Sequence, residues 1–358
     1  MQLCSSLLAL ITMPLSLIWG SVAWLRGWMF NHGWLHSHRY PLPIICVGNL
    51  SVGGTGKTPH VEYLLHLLHN EGWQVAMLSR GYGRRTKGYI LADATRHTAA
   101  DIGDEPFQMM HNCPFATIAV CENRCVGIEH LLKLQPLIDV IVLDDAYQHR
   151  YVQAGYNVLL TDAHRLYTYD HLLPWGRLRE PASAAKRAQA IVVTKCLPHE
   201  RPQLQTDKGQ QLFYSHIVYN TLLTPDMRPL PQPLLQGQNI LLIVGIANPA
   251  PLVKHLQQQG ANVVVAAFAD HHTFNSKDVQ RINDMWQQHA CTIALTTQKD
   301  MTRLLPVMPQ LNIALADNLL VQPISVQIES VHTQPNDLSF NQTIIQYVRT
   351  NQRNRSLD

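Results

Sequence analysis

The chain has 358 residues, 46% of them apolar and only 15% charged, with a formal net charge of +3. Its length points to two domains, and so small a charge gives no footing for nucleic-acid binding. The nineteen histidines are scattered, and the seven cysteines are odd in number and irregularly spaced; Cys121 and Cys125 form a C-x3-C pair without the second pair a zinc site needs, so they read as reduced cytosolic thiols.

No charged side chain precedes Arg26. As a helix, Leu3–Leu25 would measure roughly 34 Å at about 1.5 Å per residue, close to the hydrocarbon thickness of a bilayer. Pro14 interrupts the run, and Ser5, Ser6, Thr12, Ser16 and Ser21 dilute it. Four of the seven tryptophans (Trp19, Trp24, Trp28, Trp34) fall in the first 34 residues, and indole favours the headgroup boundary. Three readings compete. A secretory signal peptide would carry Lys or Arg ahead of the apolar run; none is there, although Ser21-Val22-Ala23 resembles a cleavage site. A plain buried helix is the second. The third is a membrane anchor over residues 1–38, and Arg26 and Arg39 just after it favour a catalytic domain on the cytoplasmic side. Spanning the bilayer and lying flat on it both stay open.

Beyond the anchor, Pro43–Leu50 is an apolar run suited to a buried parallel strand. A glycine loop follows, then His60–Asn70 with Leu64, Leu65, Leu67 and Leu68 at helical spacing. Strand candidates recur at Gln74–Leu78, Ala116–Val120, Val140–Leu143, Asn157–Leu160 and Ala190–Thr194, with helix candidates such as Glu105–His111 and Cys125–Leu134 between them. This alternation predicts an α/β fold: a P-loop NTPase-like parallel sheet core over residues 39–200. Residues 201–237, rich in Pro and Gln, read as a linker with one extended stretch, Leu212–Leu222. Residues 238–350 then restart the α/β pattern as a second, smaller domain, and the polar tail from Asn351 is expected to fray.

The strongest motif is Ser51-Val52-Gly53-Gly54-Thr55-Gly56-Lys57-Thr58, which follows a strand and opens a helix. Glycines let backbone N–H groups turn toward phosphate oxygens, Lys57 reaches the β- and γ-phosphates of ATP, and the Thr58 hydroxyl ligates Mg²⁺. Ser51 stands where the motif has its first glycine. Val140-Ile141-Val142-Leu143-Asp144-Asp145 supplies acidic residues at a strand end, where α/β proteins bind ligands, and the aspartates are read as metal ligands.

Seven motifs in order resemble the tetraacyldisaccharide 4′-kinase family of lipid A synthesis: VGNLSVGGTGKTP (Val47–Pro59), SRGYGR (Ser79–Arg84), GDEP (Gly103–Pro106), LDDAYQHR (Leu143–Arg150), LLPWGRLREP (Leu172–Pro181), DHH (Asp270–His272) and TTQKD (Thr296–Asp300). The resemblance implies transfer of the ATP γ-phosphate to the 4′-hydroxyl of a tetraacylated glucosamine disaccharide 1-phosphate. It places the reaction on the cytoplasmic face of the inner membrane, with the acylated lipid and the membrane surface as partners. It makes Asp104 and His271 the base assembly, adds Glu105 to the Mg²⁺–ATP site with Thr58, Asp144 and Asp145, and sets Arg80, Tyr82, His149 and Arg177 against the substrate. Two departures stand out, Ala146-Tyr147 where Gly-Phe is usual and Gln298 where Glu is usual. The first reads as packing, and no role is assigned to position 298.

Plainer readings of the same residues stay open. Asp104 also suits a helix N-cap, His271 a loop histidine beside a domain junction, and Arg177, Arg179 and the Arg80–Arg85 cluster a solvated surface. The rival function is a membrane-associated P-loop ATPase or GTPase switch, because Gln298-Lys299-Asp300 faintly resembles a base-reading motif. A nucleotide-binding module without turnover is the third.

Overall fold

The computed structural model describes residues 2–231, 235–270, 272–330 and 338–355. It opens on α1 (Gln2–Asn31) and alternates through β1 (Ile44–Asn49), α2 (Lys57–Asn70), β2 (Val75–Ser79), β3 (Ile90–Leu91), α3 (Ala99–Ile102), α4 (Asp104–Asn112), β4 (Thr117–Val120) and α5 (Arg124–Leu134). Four more strands follow: β5 (Val140–Asp144), β6 (Tyr156–Asp162), β7 (Ala190–Thr194) and β8 (Gln211–Tyr219). A second unit holds β9 (Asn239–Val244), α6 (Ala250–Gln258), β10 (Asn262–Ala267), α7 (Ser276–Gln288), β11 (Ile293–Thr297), α8 (Gln298–Leu304), α9 (Ile313–Asp317) and β12 (Leu319–Gln322). The chain closes with β13 (Ile324–Ser330) and α10 (Phe340–Arg355).

Among the described residues these strands form a nine-stranded sheet, ordered β13-β8-β7-β6-β1-β5-β2-β4-β3, and a four-stranded sheet, ordered β10-β9-β11-β12. Pairing is parallel except where β3 and β13 join the edges of the large sheet. The central strands β1, β2, β5 and β7 are buried along their whole length, which is why they read as continuous apolar runs rather than alternating ones. Leu64, Leu65 and Leu68 of α2, Met109 of α4 and Ile344 of α10 cover one face, and Ile128 and Leu131 of α5 cover the other.

Two sequence boundaries shift. The extended stretch inside the expected linker is β8, which pairs with β7 in the large sheet. Residues from β13 onward, expected in the second domain, return to the large sheet: β13 pairs with β8, and Phe340, Ile344 and Val348 of α10 are buried in its core. The physical reason is an open edge. β7 without β8, and β8 without β13, would present unpaired backbone groups. Tyr347 ties the return down, its hydroxyl donating to the Ile44 carbonyl at 3.1 Å and accepting from the Ile44 N–H at 3.2 Å.

α1 is docked on the core rather than standing apart from it. The Ser16 hydroxyl donates to the Leu172 carbonyl and accepts from the Trp175 N–H, and the Trp19 indole donates to the Arg179 carbonyl at 3.0 Å. Gly20 lies against Leu172, so close that a Cβ would stand 2.7 Å from its Cδ1. Farther along, Arg26 donates to the Gln148 carbonyl and Arg150 to the Gly27 carbonyl. The opposite face is apolar and exposed, with Leu17 65%, Ile18 63% and Val22 60% accessible. Among the described residues no helix is long and apolar enough to cross a membrane.

The two units meet where α4 packs on α8. Asn112 of α4 and Gln298 of α8 exchange amide hydrogen bonds, and Asn112 also donates to Glu62 Oε1 of α2 at 3.0 Å. Burial pushes the Glu62 carboxyl up to about 7, against the lowering effect of the Asn112 bond.

Two outcomes follow from this packing. Ile344→Ala should cost about 2–5 kcal/mol, the usual toll of an aliphatic cavity. Because α10 belongs to the large sheet, the urea midpoint for loss of ATP binding should fall while unfolding of the second sheet is unmoved. For Glu62 the folded carboxyl binds its proton more tightly than the unfolded one, so the native state loses stability as pH rises from about 4.5 through about 7. Glu62→Gln has no proton to lose, so urea unfolding should show it gaining on the parent chain over that interval, with a plateau above and no difference below it.

Candidate active site

The site is built at the carboxyl ends of β1, β5 and β2, which lie side by side with Val47 paired to Asp144 and Leu78 to Leu143. β1 runs directly into the phosphate loop, and α2 begins at Lys57. Gly53 and Gly56 have φ of 109° and 80°, a region that side chains with a Cβ rarely enter. Ser51 is different. It bridges Leu178 and keeps a negative φ, so this first position does not need the missing glycine.

Neighbouring strands hold the loop in shape. Asn49 Nδ2 donates to Thr55 Oγ1 at 2.8 Å, the Thr194 hydroxyl at the end of β7 donates to the Thr55 carbonyl at 3.0 Å, and the Val52 N–H donates to the Arg177 carbonyl at 2.8 Å. His60, in the first turn of α2, spans Gly56 and β8: Nδ1 lies 2.7 Å from the Gly56 carbonyl and Nε2 lies 2.9 Å from Ser215 Oγ. The carbonyl can only accept, so Nδ1 carries the proton and Nε2 accepts from the serine. Burial pushes this imidazole down to about 4, so it is neutral at working pH.

Asp144 and Asp145 bring two adjacent carboxylates to the loop. Asp144 is buried, accepts from Ser79 Oγ at 3.1 Å, and is pushed up to about 6 by burial and by Asp145, with Glu105 adding to the effect and Lys57 opposing it. Burial would also raise Asp145, but Lys57 and Arg179 outweigh it and hold this carboxyl below the usual range. Lys57 Nζ lies 3.7 Å from Asp145 Oδ2 and Arg179 Nη1 lies 3.1 Å from Asp145 Oδ1. Asp145 has a φ of 45°, a costly conformation for a residue with a side chain.

Of the expected metal ligands, Asp144 fits a divalent ion best. It is a buried carboxylate next to another, and burial first and Asp145 second raise its proton affinity, so a cation bound there would relieve it. Asp145 is already engaged by two cations. Glu105 acts on Asp144 electrostatically, yet its own Oε1 faces Lys299 of α8 at 3.8 Å. Among the described residues no three His, Cys, Asp or Glu side chains converge as a metal cage. Of the expected set Thr58, Glu105, Asp144 and Asp145, Asp144 is the carboxylate least engaged by a cation, which suits an ion whose remaining ligands are nucleotide phosphates and water.

The expected substrate residues divide. Arg177 stands over the phosphate loop, its Nη1 3.9 Å from where a Cβ on Gly53 would sit. His149 Nε2 accepts from the Arg124 N–H at 3.3 Å, and burial, with Arg124, Arg26 and Arg80 adding to it, pushes this ring down to about 4. Arg80 therefore lies within electrostatic reach of His149, whereas Tyr82 is 73% exposed. Asp104 is the first helical residue of α4, with Gly103 as the cap, so the N-cap reading of Asp104 is corrected. Its carboxylate instead meets Arg303 of α8, Nη2 to Oδ2 at 2.6 Å. His271 lies outside the described residues.

Sequence reasoning missed four contributors. Arg303 sits three residues beyond the TTQKD motif on the same helix, and that spacing is the signal that could have found it. Arg124 is buried and donates to the Asp144 carbonyl, while Gln148 donates to the Asn49 carbonyl from within LDDAYQHR. His60 follows the loop directly. Tyr147 confirms the packing reading of its departure: its hydroxyl donates to the Ala184 carbonyl at 2.8 Å, and its Cβ leaves no room for a side chain at Gly48. Gln298 and Asp300 are committed to the seam with α4 and to Arg303, which removes them as a base-reading element.

Comparison with known proteins agrees with this geometry. The family model described as tetraacyldisaccharide-1-P 4′-kinase matches residues 8–339. A Bacteroides fragilis tetraacyldisaccharide 4′-kinase is 44% identical, covering 96% of this chain and 94% of its own length. The Bacteroides thetaiotaomicron kinase is 43% identical at the same coverage, and the Flavobacterium psychrophilum kinase is 40% identical over 95% of this chain and 97% of its own. A crystal structure of LpxK from Aquifex aeolicus in complex with ATP superposes with a TM-score of 0.71 at 28% identity, covering 88% of this chain and 94% of that one. The chain belongs to the tetraacyldisaccharide-1-P 4′-kinase family.

Proposed function

We propose that this chain transfers the γ-phosphate of ATP to the 4′-hydroxyl of a tetraacylated glucosamine disaccharide 1-phosphate, the step that gives the family its name. The observation that carries the reading furthest is the position of α1: its inner face binds the Leu172–Arg179 segment that also holds the phosphate loop, and its outer face is apolar. A lipid whose acyl chains stay in a bilayer against that outer face would have its sugar beside Lys57 and Asp144. The membrane-associated ATPase or GTPase switch reading loses its base-reading element, because Gln298 and Asp300 are engaged with Asn112 and Arg303.

In the transfer the sugar oxygen forms a bond to the γ-phosphorus, the bond to the bridging oxygen breaks, and its electron pair leaves with ADP. The hydroxyl proton passes to the Asp104 carboxylate, a step worth roughly 10²–10⁴ in rate when the acceptor is well placed. Lys57 and the loop N–H groups bind the β- and γ-phosphates, and Arg177 adds forked donors at the loop's mouth while Arg179 stays on Asp145. Thr58 and Asp144 would hold Mg²⁺, which when bound neutralises phosphate charge. On binding nucleotide, Lys57 can exchange Asp145 for a phosphate because its contact there is long and partly open to solvent.

We place the reaction at the cytoplasmic face of the inner membrane, where ATP and an acylated sugar meet. Arg39, eight residues beyond the end of α1, is exposed and has no carboxylate in ion-pair range among the described residues, and a cation beside a membrane-bound helix favours an anionic lipid surface.

Mass spectrometry of the lipid after incubation with ATP and Mg²⁺ tests the activity: a product heavier by one phosphate is expected, and its absence defeats the reading. Lys57→Ala should remain folded and lose about 10²-fold or more of phosphoryl transfer to the lipid, because it removes charge stabilisation made at the reacting phosphate; near-normal turnover would remove Lys57 from the site. For the membrane surface, the combined Leu17→Ser and Val22→Ser variant should co-sediment less with vesicles containing anionic phospholipid and show a higher KM for the lipid, while ATP affinity is unchanged. Undiminished co-sedimentation would put the contact elsewhere.

A further inference from the structure

Asp104 does not reach the site alone. Arg303 of α8 approaches it from the second unit, with Nε 2.7 Å and Nη2 2.6 Å from the same carboxylate oxygen, Oδ2. Two nitrogens on one edge of a rigid guanidinium thus converge on Oδ2 and pin that oxygen from a set direction, as the rotating ammonium of a lysine would not. The other end of the guanidinium is fixed as well. Nη1 lies 3.3 Å from Asp300 Oδ1, and Asp300 is fully buried. The Thr297 hydroxyl donates to Asp300 Oδ2 at 2.8 Å, and the Gly245 backbone, at the end of β9, also bonds to Asp300. Gly245 is matched to this role, since a Cβ there would sit 3.2 Å from Asp300 Oδ1. A continuous set of contacts therefore runs from β9 through Asp300 and Arg303 to Asp104.

We propose that Arg303 is the positioning residue for the proton acceptor Asp104, and that through it the second unit sets the orientation of the acceptor. The inference rests on the assignment of Asp104 made under the proposed function. A contact serving only to hold two domains together needs no particular carboxylate orientation, and Gln298–Asn112 and Lys299–Glu105 already serve that seam. Arg303 differs because its partner is the acceptor itself and because Asp300 spends a buried charge to aim it. A lysine would keep the cation and lose the fork.

The test compares Arg303→Ala, Arg303→Lys, Asp104→Asn and the doubles that combine each Arg303 change with Asp104→Asn. Arg303→Ala should lower kcat by about 10²-fold, the scale of a misplaced reacting group, with KM for ATP within about twofold of the parent. Added guanidinium ion should restore part of that loss by occupying the space the side chain leaves, and Arg303→Lys should recover only a minor share. In the Asp104→Asn background neither Arg303 change should lower kcat further, and guanidinium should do nothing, because residues acting as one unit are not additive. Losses that multiply in the doubles, or full activity in Arg303→Lys, would overturn the inference. Should Arg303→Ala fail to fold, the Arg303→Lys pair of measurements decides alone. If Asp104→Asn itself turns over normally, the acceptor assignment fails regardless of Arg303; if it is slow and the losses multiply, only the role of Arg303 fails.

Discussion

The feature on which the site depends is the concentration of negative charge at the end of β5. Two consecutive carboxylates leave a buried strand with little water to solvate them, and burial holds the first up to about 6. Unpaired charge in such a place is expensive. The surroundings answer with cations from three directions: Lys57 from the phosphate loop, Arg179 from the segment under α1, and Arg124 from α5, buried and bonded to the Asp144 carbonyl. Each comes from a different piece of chain, so the charge pair draws together elements that are far apart in sequence. The strained φ of Asp145 belongs to the same demand, since it turns the second carboxylate back toward Lys57 and Arg179.

That arrangement is also poised for exchange. Lys57 binds Asp145 at a distance longer than a good hydrogen bond, while Arg179 holds the same carboxylate with several shorter contacts. A nucleotide that takes Lys57 leaves Asp145 still paired. Among the described residues Asp144 has no cation as close, and it is the carboxylate a divalent ion would relieve. The two adjacent aspartates, indistinguishable in the sequence, are separated by their neighbours into a structural partner and a candidate ligand.

Much of this is legible in the residues. A glycine loop between an apolar strand and a helix has few other uses, and the run Val140–Asp144 announces a buried strand ending in acid, so the loop and the strand-end aspartates fall where the fold places them. Local pattern carries those features, because each is complete within about ten residues. What escapes depends on long-range pairing. β8 reads as a linker because its pairing partners, β7 and β13, lie on either side of it in the chain, the second more than a hundred residues away. The apolar N-terminus reads as an anchor by composition, yet composition cannot show that Ser16, Gly20 and Gly27 form a docked face and leave the other face apolar. Arg303 is the clearest case. Its spacing from TTQKD puts it on the face of α8 that carries Asp300, but only the packing of α8 on α4 gives it Asp104.

The placement of α1 and of α8 follows one physical logic. Phosphoryl transfer to a sugar competes with transfer to water, so the sugar hydroxyl must be brought in and the carboxylate we propose as its proton acceptor aimed only when the site is assembled. α1 presses on the Leu172–Arg179 segment, which pins Ser51 and Val52 and supplies Arg179 to Asp145. A change in how α1 sits would therefore be felt at the mouth of the phosphate loop. α8 works on the opposite side, through α4, which carries Asp104 at its first residue and Asn112 at its last; both ends are held by α8, through Arg303 and Gln298. A helix gripped at both ends cannot shift without moving its partner. The nucleotide loop thus lies between two reporters, one beneath the apolar outer face of α1 and one belonging to the second sheet, and the charge pair at the end of β5 is the point where their effects meet.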